Sequence, residues 1–282
     1  MEVNWLDAFE AKVCSQRGED GKIAKILEVI GDNDRWCVEF GAWDGKYNSN
    51  TFNLIKNRDY SAVLIEGSER KFLELRENMN PYKVTSIRSF VGFTDKDSLD
   101  VILEKTPIPK NFDVLSIDID GNDYHAWAAV KKYRPKLVVI EFNPTIPSEV
   151  EFIQEPVSHL NHGCSLLALV RLARDKNYEL VATTLNNAFF VSKEYFGLFK
   201  MADNSIDKLR TDQSRVTYVF SGYDGTVFVR GFGQLDLHGL PFKEKNLQLL
   251  PKFLRGYDDS GAGFGALKKV IRKAYKSLKK RI

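Results

Sequence analysis

A ten-residue run at positions 36–45, Trp-Cys-Val-Glu-Phe-Gly-Ala-Trp-Asp-Gly, constrains the fold more than any other part of this chain. Its first half has the length and apolar content of a short buried strand, carries an acid, Glu39, near its end, and breaks into a turn spaced by Gly41 and Gly45. A second apolar run at 62–66 also ends in an acid, Glu66. Between them Ser49-Asn50-Thr51 offers a cap for a helix that reaches Lys56, with Phe52 and Ile55 turned inward. Strand, glycine turn, helix, strand, acid is the order in which a doubly wound α/β sheet builds a ligand crevice at its carboxyl edge.

The alternation continues along the chain. Apolar spacing predicts helices over 18–30, 69–78, 97–104, 122–133 and 166–177, and strands over 84–91, 113–117 and 137–142. The last of these is an uninterrupted β-branched run, as expected for a central parallel strand. Strands at 179–183 and 188–191, joined by Thr184-Leu185-Asn186-Asn187, read as a hairpin, and 215–220 with 226–229 reads as another around Tyr223-Asp224-Gly225. The expected organisation is a ligand-binding domain over 1–192, an added subdomain or lid over 193–262 and a tail over 263–282.

Composition fits a globular protein: of 282 residues, 43% are hydrophobic and 28% charged. No apolar run approaches the roughly 18 residues needed to cross a bilayer, and the first residues lack the basic-then-apolar pattern of a secretion signal. Cys14, Cys37 and Cys164 are odd in number and far apart, which fits a reducing cytosol better than a disulfide framework or a cysteine zinc site. The expected location is therefore cytoplasmic. The net charge of +3 hides an asymmetry: residues 267–282 carry eight basic and no acidic side chains, leaving 33 basic against 38 acidic elsewhere.

A dinucleotide crevice wants G-x-G-x-x-G, so that a pyrophosphate can press on backbone at a helix N-terminus. The turn here is Glu-x-Gly-x-x-x-Gly. A nucleoside cofactor without a pyrophosphate suits it better, and S-adenosylmethionine is the candidate; a nicotinamide enzyme is disfavoured. The segments 15–20 (Ser-Gln-Arg-Gly-Glu-Asp), 38–45, 49–51, 64–66 and 117–123 (Ile-Asp-Ile-Asp-Gly-Asn-Asp), in this order and spacing, resemble the FkbM-type S-adenosylmethionine-dependent methyltransferases over about residues 13–192. Analogy with the methyltransferase sheet implies the strand order 3-2-1-4-5-7-6 with the seventh strand antiparallel, a helical N-terminal cover and a C-terminal extension. The resemblance also implies O-methylation of sugars, polyketides or other hydroxylated molecules. It implies cofactor contacts from Gln16 in the N-terminal cover, from Gly41, Ala42 and Asp44 in the turn, from Asn50, and from Glu66 on the ribose diol. Glu39 is placed to accept from the cofactor's amino group or from a backbone N–H. Ser89 and Phe90, ending the third strand, belong near the adenine, although Phe90 also fits a core position.

Asp118 and Asp120 share a face if the fourth strand extends that far, and Asp118 also borders the cofactor. Glu141 and Asn143 repeat the spacing on the neighbouring strand. Two close carboxylates repel unless a proton or cation lies between them. Asp118, Asp120, Glu141 and Asn143 could hold Mg²⁺ or Mn²⁺, or simply line a polar cleft. Asp118 and Asp120 are catalytic candidates on this ground, and His125 and His162 are candidate general bases. The tail's Leu267, Val270, Ile271, Ala274, Leu278 and Ile282 form a helical stripe among lysines, which fits an anionic membrane surface through 266–282, at the inner face of a membrane. Nucleic acid fits the acidic remainder poorly. The expected function is methyl transfer to a sugar hydroxyl of a glycan or glycolipid. The alternatives are methylation of a small non-sugar metabolite and a non-catalytic binding protein on the same scaffold.

Overall fold

The structure is a computed structural model that describes residues 4–256 and 266–279, with side chains of the last helix described at 270–277. The chain divides into two compact units, Met1–Gln213 and Ser214–Ile282. The break lies beyond the position 192/193 read from the sequence. Residues 193–213 carry Phe199 and Leu209, both fully buried in the cores of the first unit.

In the first unit the order is α1 (Glu19–Ile30), β1 (Trp36–Phe40), α2 (Phe52–Asn57), β2 (Ser61–Glu66), α3 (Glu69–Met79), β3 (Val84–Arg88), α4 (Leu99–Leu103), β4 (Val114–Ile117), α5 (Asp123–Ala129), β5 (Leu137–Glu141), α6 (Leu166–Asp175), β6 (Tyr178–Thr183), β7 (Asn187–Ser192) and the short helices α7 (Lys193–Phe196) and α8 (Ile206–Leu209). The seven strands form one sheet in the order β3-β2-β1-β4-β5-β7-β6, the order expected by analogy, with β7 antiparallel to both neighbours.

Alternate residues of each strand feed opposite cores. Val38, Val63, Leu115 and Val138 join Leu99, Trp127 and Leu169 on one side. Cys37, Leu64, Val114 and Val139 join Ile23, Ile26, Leu27 and Leu75 on the other. With both faces covered, the open edge left for a ligand is the carboxyl edge, where β1 and β4 lie side by side and the winding reverses.

Two elements stop three or more residues short of their expected ends. The edge strand β3 pairs only with β2, whose last residue Glu66 lies opposite Arg88, so Ser89 and Phe90 fall past the strand. Helix α5 ends at Ala129 because the Asp100 carboxylate accepts from the N–H groups of Lys131 (2.8 Å) and Lys132 (2.9 Å), which draws that backbone out of the helix.

The second unit pairs β8 (Thr217–Ser221) with β9 (Val227–Gly231) in an antiparallel hairpin and carries helix α9 (Ala266–Lys279). Leu267, Leu278 and Ile282 of the expected apolar stripe lie outside the described side chains. Among the described residues no helix is long and apolar enough to cross a membrane.

Candidate active site

The crevice starts at Gly41. Its φ is +75°, and a Cβ built there would lie 1.7 Å from the carbonyl oxygen of Asp118. The glycine is required by the neighbouring strand rather than by a ligand. Gly45, at φ +78°, similarly faces the side chain of Met79, 3.0 Å from a built Cβ. Between them Ala42 donates its N–H to the Ile65 carbonyl at 3.1 Å. Trp43, at φ +52°, donates its N–H to Glu66 Oε2 at 2.9 Å and exposes its ring beside Lys71. Asp44 Oδ1 accepts from the N–H groups of Lys46 and Tyr47 and closes the turn.

Glu66 is buried at the end of β2, and Ser68 N–H occupies its other oxygen at 2.7 Å. A carboxylate accepts about four hydrogen bonds, so roughly half of its capacity remains for a ligand. Beside it, Ser89 donates its N–H to the Glu66 carbonyl at 3.2 Å and its hydroxyl to the Phe90 carbonyl. Phe90 is 80% exposed and lies against Gly67, where a Cβ would come within 2.3 Å of the ring. The core reading of Phe90 is thereby excluded, and the ring forms an open apolar wall next to Glu66.

Of the two partners considered for Glu39, a cofactor amino group and a backbone N–H, the structure shows the second, at Asn50. It is buried, and its carboxylate accepts from Ser49 Oγ (2.5 Å), Thr51 Oγ1 (2.7 Å), Asn50 N–H (2.9 Å) and Ser116 Oγ (3.3 Å). Asn50 donates its side-chain amide to Ser116 at 3.1 Å, so it too is turned into the protein. Burial holds the Glu39 carboxyl above its ordinary range against the pull of these bonds, Ser49 foremost. Ser49 Oγ also accepts from Phe52 N–H at 3.0 Å, so within the expected Ser49-Asn50-Thr51 cap it is Ser49 whose side chain binds the first turn of α2.

Across the crevice, Asp118, Asp120 and Glu141 present carboxylate oxygens within 4.8 Å of one another. Burial, then repulsion from Glu141, raises the Asp118 carboxyl well above its usual range. Burial, then repulsion from Asp123, lifts Glu141 to about 8, while Asn186 Nδ2 donates to it at 3.0 Å and a hydrogen bond joins it to Asp118. Burial and mutual repulsion therefore favour the protonated forms of both acids. Asp120 is exposed at φ +56° in a loop that Asp123 staples by accepting from Ile119 N–H (2.9 Å) and Gly121 N–H (2.8 Å). Asn143 is engaged within its own loop and with the next one: its Oδ1 accepts from Thr145 N–H (2.9 Å) and Thr145 Oγ1 (2.7 Å), and its amide donates to the His162 carbonyl.

The loop 154–163 overhangs this edge, with Asn161 Nδ2 donating to the Asp120 carbonyl at 2.9 Å. Its organiser is Gln154, which the sequence did not single out: its amide donates to Asn122 and Leu160 and accepts from the N–H groups of His162 and Gly163. His125 is not among the clustered acids; its Nε2 sits 2.8 Å from the Gln154 carbonyl and its ring packs on Phe93. His162 is exposed on the loop.

The N-terminal cover is held from below. Asp20 accepts from the N–H groups of Val13, Cys14 and Ser15, and Glu19 binds Arg17 N–H, Thr184 and Asn187. A Ser15–Asn48 bridge leaves the exposed Gln16 next to the turn that follows Gly45. A separate polar cavity of about 340 Å³ lies between this cover and the β6–β7 turn, lined by Asp7, Glu10, Arg17, Thr183 and Thr184 among others. It is distinct from the crevice. The turn that borders it sends Asn186 to Glu141.

No family model and no curated protein matches the sequence. Solved structures do align with it. A TehB-like SAM-dependent methyltransferase from Corynebacterium glutamicum is 9% identical, over 61% of this chain and 87% of that one, with a TM-score of 0.39. A SAM-dependent methyltransferase from Aquifex aeolicus is 11% identical over 68% and 99%, at 0.37. The N-terminal domain of EvdMO1, solved with SAH and D-fucose, is 12% identical over 67% and 93%, at 0.40.

Proposed function

We propose that this chain is an S-adenosylmethionine-dependent methyltransferase of the FkbM type, acting on an oxygen of a hydroxylated acceptor such as a sugar of a glycan or glycolipid. The observation that carries the reading is the pairing, across the β1–β4 switch point, of a buried acid with spare acceptor capacity and a cluster of carboxylates with raised pKa. On one side Glu66 keeps acceptor capacity for vicinal hydroxyls beside the exposed ring of Phe90. On the other stand Asp118 and Glu141.

The cofactor, when bound, supplies an electrophilic methyl group. The chain's own residues then have two tasks, to orient the acceptor oxygen and to take its proton. The Asp118–Glu141 pair, in its deprotonated form, is the acceptor of that proton. Asn186 donates to Glu141 at 3.0 Å and so orients that carboxyl. Asp120 and the exposed His162 flank the entrance from the loop side.

The test is calorimetric titration with S-adenosylmethionine, S-adenosylhomocysteine and NAD, followed by an acceptor screen with labelled methyl donor. Micromolar binding of the first two, weakened at least tenfold in Glu66→Ala, supports the reading. Preference for NAD, or no binding of either sulfur nucleoside, overturns it. Binding without turnover on any hydroxylated acceptor would favour the non-catalytic alternative.

The three clustered carboxylates favour one variant of this mechanism. Asp118, Asp120 and Glu141 fit a hard divalent cation such as Mg²⁺ or Mn²⁺, which would lower the pKa of a bound hydroxyl. Full turnover in excess chelator would remove the cation from the mechanism.

A further inference from the structure

We infer that the second unit is a docking module for an anionic lipid surface. Three observations on that unit converge.

The first is apolar exposure in a unit too small to hide it. A two-stranded hairpin cannot bury both faces, and here Val219 is 63% and Phe220 50% exposed, with Tyr223 at the turn. The loop after β9 carries Leu237 at 92% exposure, and Leu249 and Phe253 follow, both more than half exposed. These side chains are aliphatic and aromatic together, the mixture that gains most by entering the boundary between headgroups and acyl chains.

The second is charge. Residues 214–282 hold 14 basic and 5 acidic side chains, a net +9, against 27 basic and 33 acidic in residues 1–213. Two of the five acids are neutralised within the unit, Asp236 by Arg215 at 2.9 Å and Glu244 by Arg230 at 2.7 Å. Lys243, Lys245, Lys252, Lys273 and Lys276 are exposed and have no acidic partner among the described residues.

The third is the way α9 is held. Arg272 donates to the carbonyl of Leu254 at 2.8 Å and Tyr275 to that of Leu249 at 2.9 Å. These bonds fix one side of the helix to the 249–254 segment. Val270 and Ile271 stay exposed, with Lys273 and Lys276 in the next turn. The segment that anchors the helix also bears Leu249 and Phe253, so basic and apolar groups lie on connected elements.

Excess positive charge beside exposed hydrocarbon is complementary to a bilayer with anionic headgroups, where each basic residue near the surface adds to the attraction. A nucleic acid would use the charge but gains little from exposed leucine and valine. A second copy of this chain would use the hydrocarbon but bring the same +9 against itself.

The experiment is flotation of the full chain with vesicles of phosphatidylcholine alone and of phosphatidylcholine with phosphatidylglycerol, at low and high salt. Flotation with the anionic vesicles alone, weakened by salt, is the expected result. The pair Lys273→Glu/Lys276→Glu should lower anionic-vesicle affinity at least tenfold. Leu237→Asp, at a fully exposed site, should lower it several-fold while unchanged circular dichroism and melting report an intact fold. Failure to float with anionic vesicles, equal flotation with neutral ones, tighter binding to a mixed RNA than to vesicles, or a dimer in light scattering that Leu237→Asp dissociates would each overturn the inference. None of these readouts involves the methyl donor, so the result stands apart from the proposed activity.

Discussion

Glu39 and Glu66 are both acids at the end of neighbouring strands, and the sequence gives them the same description. Their surroundings separate them. Glu39 satisfies three hydroxyls and one backbone N–H in a buried network, so Glu39→Ala leaves those donors unpaired and should cost about 3–5 kcal/mol of stability. Glu66 holds only two N–H groups, and its spare capacity faces the crevice. Glu66→Ala should lower cofactor affinity more than melting temperature, and comparing the two variants by thermal melting and calorimetry checks the division. The positions of Gly41, Glu66, Asp118 and Glu141 were legible from strand-end spacing. The partners were not, because Ser116 reaches Glu39 only after five intervening elements have folded, and Asn186 reaches Glu141 only after two. A pH dependence follows from the same pair. The Glu141 carboxyl ordinarily titrates near 4.5 and is held at about 8. Its protonated form is favoured in the folded state, so the stability it contributes is full below 4.5 and is lost as pH rises through 8. Turnover should move the other way, rising with pH through about 8 as the acid pair becomes a base. Glu141→Gln should flatten the stability loss and remove the rising limb. Added Mg²⁺ would shift that limb to lower pH only if a cation replaces the proton.

At the level of elements, the buried strands were readable because each is an unbroken apolar run bounded by polar or glycine residues, and β1 has the bounds expected of it. The ends that were misread depend on other elements: β3 stops where its only partner stops, and α5 stops at a carboxylate from α4. The N-terminal cover shows the same dependence. Lys22 of α1 is fully buried, and its ammonium meets Asp7 at 2.6 Å, Glu10 at 2.8 Å and the Thr183 carbonyl at 2.6 Å. One side chain thus fastens the chain's first turn and the end of β6 to α1, along the wall of the polar cavity. Asp7 and Glu10 are partly exposed, so Lys22→Met should cost about 2–3 kcal/mol, below the range for a fully buried pair. The loss should appear as early hydrogen exchange in residues 4–20 and at the β6–β7 turn, while the strands β1, β2 and β4 keep their protection. Uniform loss of protection across the sheet would mean that the lysine supports the core rather than the cover.

At the scale of the molecule, the two units differ in what holds them together. Among the described residues, the buried members of both cores of the first unit run no further than Leu209. The seven-stranded sheet, the Glu66 crevice and the Asp118–Glu141 pair all lie within that span. The second unit has one hairpin and a helix, with Val216, Val229 and Leu254 as its buried apolar residues among those described. A chain ending at Gln213 should therefore unfold cooperatively, with a melting temperature within about 5 °C of the full protein, given that 1 kcal/mol moves a domain of this size by about 2–4 °C. It should keep full affinity for the nucleoside cofactor and carry a net charge of −6, which the sequence counts require once +9 is removed from +3. Vesicle binding should be abolished in the same truncation. Residues 214–282 expressed alone should not unfold cooperatively, because so little of their apolar surface is covered. Loss of cofactor affinity on truncation would mean that the first unit does not bind the nucleoside by itself.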